Sequence, residues 1–270
     1  MLLRCLRWIR VKITQRAQRF LLRVLASGPI PQHVAFVMDG NRRYARRHQQ
    51  AIHEGHSEGF VALRRMLEAC LRLDIRCVSA YAFAMDNFRR SPEEVDHLMK
   101  LAHEKLMEMS LHGQILEEYG VRLNVLGNRS LLPDYVQEAI CHVESVTRHN
   151  NKAILNICMS YSSQDEMTTA VESAVRNSLE KSDPDICEIT EHDISAQLMT
   201  AGSPPLDILI RTSGVKRLSD FLLWQCSEDT QIHFSKAYWP EFGLLDFVPI
   251  LLDYQRKIWR QRLPTRRLRQ

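Results

Sequence analysis

The sequence has no apolar run of the roughly 18 residues that a membrane-crossing helix requires, so no part of its 270 residues reads as a transmembrane span. It has no C-x-x-C pair. Its seven cysteines, at 5, 70, 77, 141, 158, 187 and 226, are scattered and mostly set among apolar neighbours. That pattern argues against structural zinc and for reduced, buried thiols on the cytosolic side of a membrane. There is no internal repeat and no low-complexity tract. Acid is missing from both ends: residues 1–26 carry seven Arg or Lys, residues 256–270 carry seven more, and neither stretch has an Asp or Glu. Those fourteen come out of 36 basic residues, leaving 22 in the middle against all 32 acids. The body is acidic and the ends are basic, although the whole chain is formally +4. Basic ends of this kind touch anionic membranes, nucleic acid or an acidic partner.

What is present suffices for a core, with 45% apolar residues. At the N-terminus Leu2, Leu6, Ile9, Ile13, Phe20 and Val24 fall at helical spacing beside a stripe of Lys12, Arg16, Arg19 and Arg23. This basic amphipathic helix over residues 1–26 fits a membrane surface and fits equally a helix docked on its own domain or on a partner. A transit peptide is a third reading. Ser27-Gly28-Pro29 and Pro31 end it. Strand-like runs follow at 33–38, 76–83, 121–126, 153–159, 207–211 and 231–235. Helical patterns lie near 56–73, 91–112, 133–149, 163–180, 190–200 and 244–260, with capping boxes at Ser91–Glu94 and Ser163–Glu166. Alternation of this kind predicts one α/β domain with a mostly parallel six-stranded sheet covered on both faces. Ligands of such sheets sit beyond the carboxyl ends of the strands.

Two segments carry the chemistry. His33 to Ala45 and Asp207 to Gln225 each run from a buried strand into a glycine-containing turn with at least two arginines. The first places Asp39 where its strand ends. Basic strand ends beside a carboxylate suit phosphorylated substrates and a divalent metal. Singly, each residue has a plainer reading: Asp39 as a turn or N-cap residue, His56 as a capping or surface histidine, Arg90 as solvated, Arg211 as an ion-pair partner.

In order along the chain, Met38-Asp39-Gly40-Asn41-Arg42-Arg43, Gly55-His56, Tyr81-Ala82-Phe83, Asp86-Asn87-Phe88-Arg89-Arg90, Arg211-Thr212-Ser213-Gly214, Phe221 to Gln225 and Trp239-Pro240-Glu241 resemble the cis-prenyltransferases, with the eukaryotic dehydrodolichyl diphosphate synthases nearest. The resemblance spans about residues 29–259. It implies repeated cis addition of isopentenyl diphosphate to an allylic diphosphate such as farnesyl diphosphate, with Mg²⁺, to make long polyprenyl diphosphate for dolichol. It implies a catalytic domain over 27–260 and a basic tail over 261–270. It assigns Asp39 to the metal, Asn87 and Arg90 to the reacting centre, and Gly40, Asn41, Arg42, Arg43 and His56 to the allylic diphosphate. Arg211, Arg217 and Ser219 fall in the pocket for isopentenyl diphosphate. Leu98, Met99, Leu101, Leu106 and Met107 are either plain core or the wall of a tunnel for the growing chain.

The match departs at Ile52, where many relatives have Arg, at Ala84 for Ser, Val215 for Glu, Gln164 for Arg, and Thr230 for a second acidic metal ligand, with Glu228 and Asp229 nearby. No glycine follows Gly243, so the Arg-x-Gly motif of single-chain members is missing. The resemblance therefore implies a heteromer whose second subunit, similar to the Nogo-B receptor, supplies that motif at the cytosolic face of the endoplasmic reticulum. Two other readings stand beside it: a non-catalytic subunit that kept the fold, and a basic nucleic-acid or membrane-binding module. The acidic body and the lack of a nucleic-acid motif weigh against nucleic acid. A rubber-type polyisoprene product would use the same residues.

Overall fold

A computed structural model of the chain describes residues 16–111, 114–180 and 189–262. After a helix over residues 16–25 (α1) come β1 His33–Val37, α2 Asn41–Arg47, α3 Ile52–Arg72, β2 Cys77–Ala84, α4 Pro92–Leu111, α5 Gln114–Glu118, β3 Val121–Leu126 and α6 Asp134–Thr147. β4 Ala153–Tyr161, α7 Ser163–Glu180, α8 Glu191–Ser195, β5 Ile208–Arg211, β6 Gln231–Phe234 and α9 Leu244–Arg262 complete the order. The six strands form one sheet in the order β3-β4-β2-β1-β5-β6, and every pairing is parallel. It is an α/β domain.

The central strands are apolar because both their faces are covered. On β1, Val34 and Phe36 enter one core cluster while Ala35 and Val37 enter the other. The larger cluster packs α1, α3, α4, α6 and α9 on one face; the smaller lies under the segment Leu206 to Cys226. Phe36 meets Trp239, Phe242 and Phe247 at ring distances of 5.4, 6.2 and 6.3 Å. Trp239 is fully buried, and its Nε1 donates to Gly59 O at 2.7 Å. Trp239 is thus core, and Trp224 is half-buried with Nε1 on Ser195 Oγ at 3.0 Å.

The β3 edge is closed by side chains rather than another strand. Thr147 Oγ1 accepts from Leu123 N (3.2 Å), Glu144 from Val125 N (2.8 Å), and Asn150 Nδ2 donates to Val121 O (2.8 Å). A polar layer is buried in the sheet: His33 Nε2 meets Ser79 Oγ at 2.7 Å, and Asn156 Nδ2 donates to Ser79 Oγ at 3.2 Å and Ser203 Oγ at 2.9 Å.

Several expectations shift. The turn after Asp39 is a helix, α2, whose approach to α3 depends on small residues. A Cβ on Gly55 would lie 2.5 Å from Asn41 O, and one on Gly59 would lie 2.7 Å from Asn41 Oδ1. The helix expected from residue 56 begins at Ile52, because Glu54 Oε2 accepts from Ala51 N at 2.8 Å and caps it earlier. The stretch 190–200 is helical only over Glu191–Ser195. The box expected at Ser163–Glu166 does not form: Ser162 Oγ accepts from Asp165 N, Ser163 Oγ accepts from Leu223 N, and Glu166 is buried against Tyr161 and Met199 N. Cys70, Cys77 and Cys158 are buried free thiols, whereas Cys141 is exposed. Cys5, Cys187 and the tail 263–270 lie outside the described residues, as do residues 1–15 of the segment expected to be an N-terminal helix.

Candidate active site

Parallel pairing brings the carboxyl ends of β2, β1 and β5 side by side, and the chain order reverses direction around β1, the position at which open sheets form a crevice. Met38 and Asp39 leave β1 there, Arg211 ends β5, and a 3-10 turn at Met85–Arg89 follows β2. Thr212 joins the first two ends. Its Oγ1 accepts from Asp39 N at 3.0 Å and donates to Asp39 O at 2.7 Å.

The Asp39 carboxylate receives Arg211 Nη2 on one oxygen at 2.9 Å and Arg43 Nη2 on the other at 3.2 Å. Burial alone would raise its pKa, but the hydrogen bonds and charges of Arg211 and then Arg43 outweigh burial and hold it below the ordinary value. Gly40 follows at φ 106, and a Cβ there would lie 2.9 Å from the Tyr238 ring and 3.0 Å from Ser213 Cβ, so only glycine fits this turn. Arg43 also donates to Ser213 Oγ (2.5 Å) and lies over the Tyr238 ring at 5.6 Å.

Arg211 is only 4% exposed. Its Nη1 donates to Arg217 O and Ser219 Oγ, both at 2.6 Å, while its Nε has no partner among the described residues. The loop that wraps it is conformationally tight: Ser213, Ser219, Asp220 and Leu222 all have positive φ. Such residues cost energy that the surroundings must offset. Asp220 is anchored by Ser162 Oγ at 2.5 Å and Gln164 N at 3.0 Å, and Phe221 stacks on Tyr81 at 4.3 Å. Arg217 Nε reaches Ser219 Oγ at 3.1 Å.

The opposite wall is organised by Glu94, whose spacing from Ser91 marks it in the sequence only as part of a cap. It takes Arg90 at 2.8 Å, Arg42 at 3.6 Å and His56 Nε2 at 3.7 Å. The i,i+4 spacing of Arg90 and Glu94 was the available signal. Burial first, then the charges of Arg90 and Arg42, lower the His56 pKa to about 4 despite Glu94, so its ring is neutral at pH 7. Asn87 Oδ1 accepts from Ala84 N at 3.2 Å. Asn41 Nδ2 donates to Met38 O at 3.4 Å, and its Oδ1 is wedged against Gly59.

Two polar cavities of about 410 and 910 Å³ occupy this crevice and share Asp39, Arg42, His56, Arg90 and Arg217. Gly40, Asn41 and Arg43 also line the smaller, and Asn87, Arg211 and Ser219 the larger, so all eleven residues picked out from the sequence face one space. An apolar cavity of about 130 Å³ adjoins it at Met38, Asn41 and His56, and runs between Phe83 and Leu98, Leu101 and Leu106 of α4. Met99 is plain core, and Met107 packs at the core's edge. Among the departures, Val215 lines the smaller polar cavity, Ala84 and Gln164 line the larger, and the Thr230 hydroxyl is tied to Leu206 O at 2.7 Å.

The family model described as "Putative undecaprenyl diphosphate synthase" matches residues 37–262. A dehydrodolichyl diphosphate synthase complex subunit of Schizosaccharomyces pombe is 44% identical over 88% of this chain and 90% of that protein. A human subunit of the same description is 41% identical over 92% of this chain and 74% of that protein. The crystal structure of lavandulyl diphosphate synthase from Lavandula x intermedia, in complex with dimethylallyl diphosphate, superposes with a TM-score of 0.75 at 28% identity over 83% of this chain and 95% of that one. The fold and crevice define a prenyl diphosphate synthase class of α/β protein. The chain belongs to the cis-prenyltransferase family.

Proposed function

We propose that the chain adds isopentenyl diphosphate units in cis to an allylic diphosphate such as farnesyl diphosphate, making the long polyprenyl diphosphate used for dolichol. The observation that carries this reading is the junction at Asp39: two arginine-lined polar cavities meet there, and an apolar cavity opens beside them. Two diphosphates and one hydrocarbon chain need such a junction. In the reaction the C–O bond of the allylic diphosphate breaks and diphosphate leaves with the electron pair. The terminal double bond of isopentenyl diphosphate supplies the electrons for the new C–C bond, and an adjacent carbon loses a proton.

The residues of this chain bind and orient. Arg42, Arg43, His56 and Arg90 surround the leaving diphosphate, whose developing charge preorganised donors stabilise. Asn87 holds the 3-10 turn through Ala84 N and leaves its amide N–H₂ for a ligand. Arg211, Arg217 and Ser219 are already bonded into one unit that awaits the second diphosphate. The donor set fits one Mg²⁺. Asp39 has spent one lone pair of each oxygen on an arginine and keeps others for a cation, and Mg²⁺ typically takes one or two carboxylates plus substrate phosphates. No cluster of three or more acidic, His or Cys ligands exists among the described residues; Asp39 would hold the ion, and substrate phosphates would supply further oxygens. When bound, the ion neutralises charge on the departing diphosphate.

We also place the chain in a heteromer with a subunit similar to the Nogo-B receptor, which supplies the Arg-x-Gly contact, at the cytosolic face of the endoplasmic reticulum. The S. pombe and human relatives are described as complex subunits, which supports a partner. No described helix is long and apolar enough to cross a membrane. Peripheral binding suits α1: Leu22 and Leu25 are buried in the core, while Phe20 and Val24 are 71% and 52% exposed among the exposed Arg16, Arg19 and Arg23. The test is prenyl transfer by the purified chain, alone and with such a partner, using farnesyl diphosphate, labelled isopentenyl diphosphate and Mg²⁺. Long-chain product with the partner supports the proposal; absence of product from a demonstrated complex refutes it.

A further inference from the structure

We propose that Arg46 binds the outer phosphate of the allylic diphosphate and so sets the preference of this site for a diphosphate over a monophosphate. The inference rests on the prenyl-transfer reading. Four arginines lie on α2, and three are committed. Arg42 pairs with Glu94 at 3.6 Å, Arg43 with Asp39 at 3.2 Å, and Arg47 with Glu241 at 3.6 Å. The Arg46 side chain is exposed and has no ion-pair or hydrogen-bond partner among the described residues, yet it lines the smaller polar cavity. That cavity presents Arg42, Arg43, Arg46, Arg90 and Arg217 against the single carboxylate of Asp39. Asp39 is already shared with Arg43 and Arg211, so the charge of Arg46 is uncompensated until an anion arrives.

Position along the helix says which part of the anion it meets. Arg46 follows Arg42 by four residues and Arg43 by three, so it stands on the same side one turn, roughly 6 Å, further along the axis. Arg43 touches Asp39, where the leaving bond is held; Arg46 is a turn beyond it, toward solvent. An arginine fork binds phosphate oxygens in pairs and a diphosphate is long enough to reach both guanidinium groups.

The test uses the full chain in its active complex, with Arg46→Gln, Arg46→Lys and, as a control, Arg47→Gln. Calorimetry with inorganic pyrophosphate and with orthophosphate reads binding directly. Arg46→Gln is expected to weaken pyrophosphate about tenfold and orthophosphate much less, and to raise KM for farnesyl diphosphate about tenfold with kcat within about twofold, the pattern of lost uniform binding. Arg46→Lys keeps the charge and recovers part of the loss, and Arg47→Gln leaves both readouts unchanged. Equal loss for both anions, or no loss for pyrophosphate in a folded variant, overturns the inference. If the wild-type complex transfers no prenyl group yet Arg46→Gln still loses pyrophosphate selectively, the diphosphate site stands and the prenyl-transfer reading falls.

Discussion

Asp39→Ala separates folding from catalysis, because Asp39 pairs with Arg211 in the fold and holds the metal in the proposed reaction. Arg211 is 4% exposed and Asp39 is its one carboxylate partner among the described residues, at 2.9 Å. Removing one member of a buried pair costs about 3–5 kcal/mol when the other is left charged and dry. Asp39 is 28% exposed on its side chain, so water reaches part of the vacated space, and a cost of about 2 kcal/mol is the expected size. For a chain of this length that lowers the melting temperature by roughly 4–8 °C. The double variant Asp39→Ala/Arg211→Met removes the orphaned charge and regains most of that stability, since replacing both partners of a buried pair with apolar groups is close to neutral. Activity behaves differently. Asp39→Ala is expected to lose prenyl transfer by at least about 10³-fold, because in the proposed reaction metal and leaving group both depend on this carboxylate, and the double variant should recover none of it. The assays are thermal melts and single-turnover transfer with labelled isopentenyl diphosphate in the assembled complex. Unchanged activity in Asp39→Ala would favour a non-catalytic subunit that kept the fold. An unchanged melting temperature would show that Asp39 does not compensate Arg211.

Three further outcomes follow from other parts of the molecule. Burial lowers the His33 pKa to about 4 against an ordinary 6.5, so the folded state resists the proton that the unfolded chain accepts; stability is full above pH 6.5, declines as pH falls from 6.5 to about 4, and at pH 5 the loss from His33 is about 2 kcal/mol. Chemical denaturation at pH 7 and pH 5 checks this, and His33→Gln should flatten the difference by a similar amount. Leu101→Trp fills the apolar cavity of about 130 Å³ and should shorten the products read by chromatography, with the first condensation unaffected; unchanged product length would mean the chain grows elsewhere. Phe20→Glu with Val24→Glu should abolish binding to anionic vesicles while the melt stays within about 1 °C, because both side chains face outward; vesicle binding that survives would point to a protein partner for α1 instead.

Much of the architecture was legible because its causes are local. A run such as His33–Val37, four apolar residues behind a buried histidine, needs two covered faces, and such runs separated for the most part by helical periods leave a parallel sheet as the economical arrangement. The eleven candidate residues were legible through motif order, and they converge on one crevice. Glu94 and Arg46 were not found. Glu94 looked like a helix cap from its spacing to Ser91, and its gathering of Arg90, Arg42 and His56 depends on α4 lying against α2 and α3. Arg46 is one basic residue among several in the sequence, and only the fold sets it apart by pairing Arg42, Arg43 and Arg47 with carboxylates. The helix α2 was hidden for a related reason: a seven-residue helix carries little periodicity, and its place is held by Gly55 and Gly59 of another element.

The sequence by itself determined the strand and helix types, the acidic body with basic ends, and the identity of the polar groups, because side-chain period and composition act within a few residues. Only the tertiary structure decided which of those groups share a charge. Asp39 and Arg211 are 172 residues apart, and they meet because β1 and β5 pair in parallel register, Val37 beside Arg211. The low pKa of Asp39 follows from its contacts with Arg211 and Arg43, the neutrality of His56 from burial first, and the uncommitted charge of Arg46 from its distance to any carboxylate; all are through-space effects that bear no relation to separation along the chain.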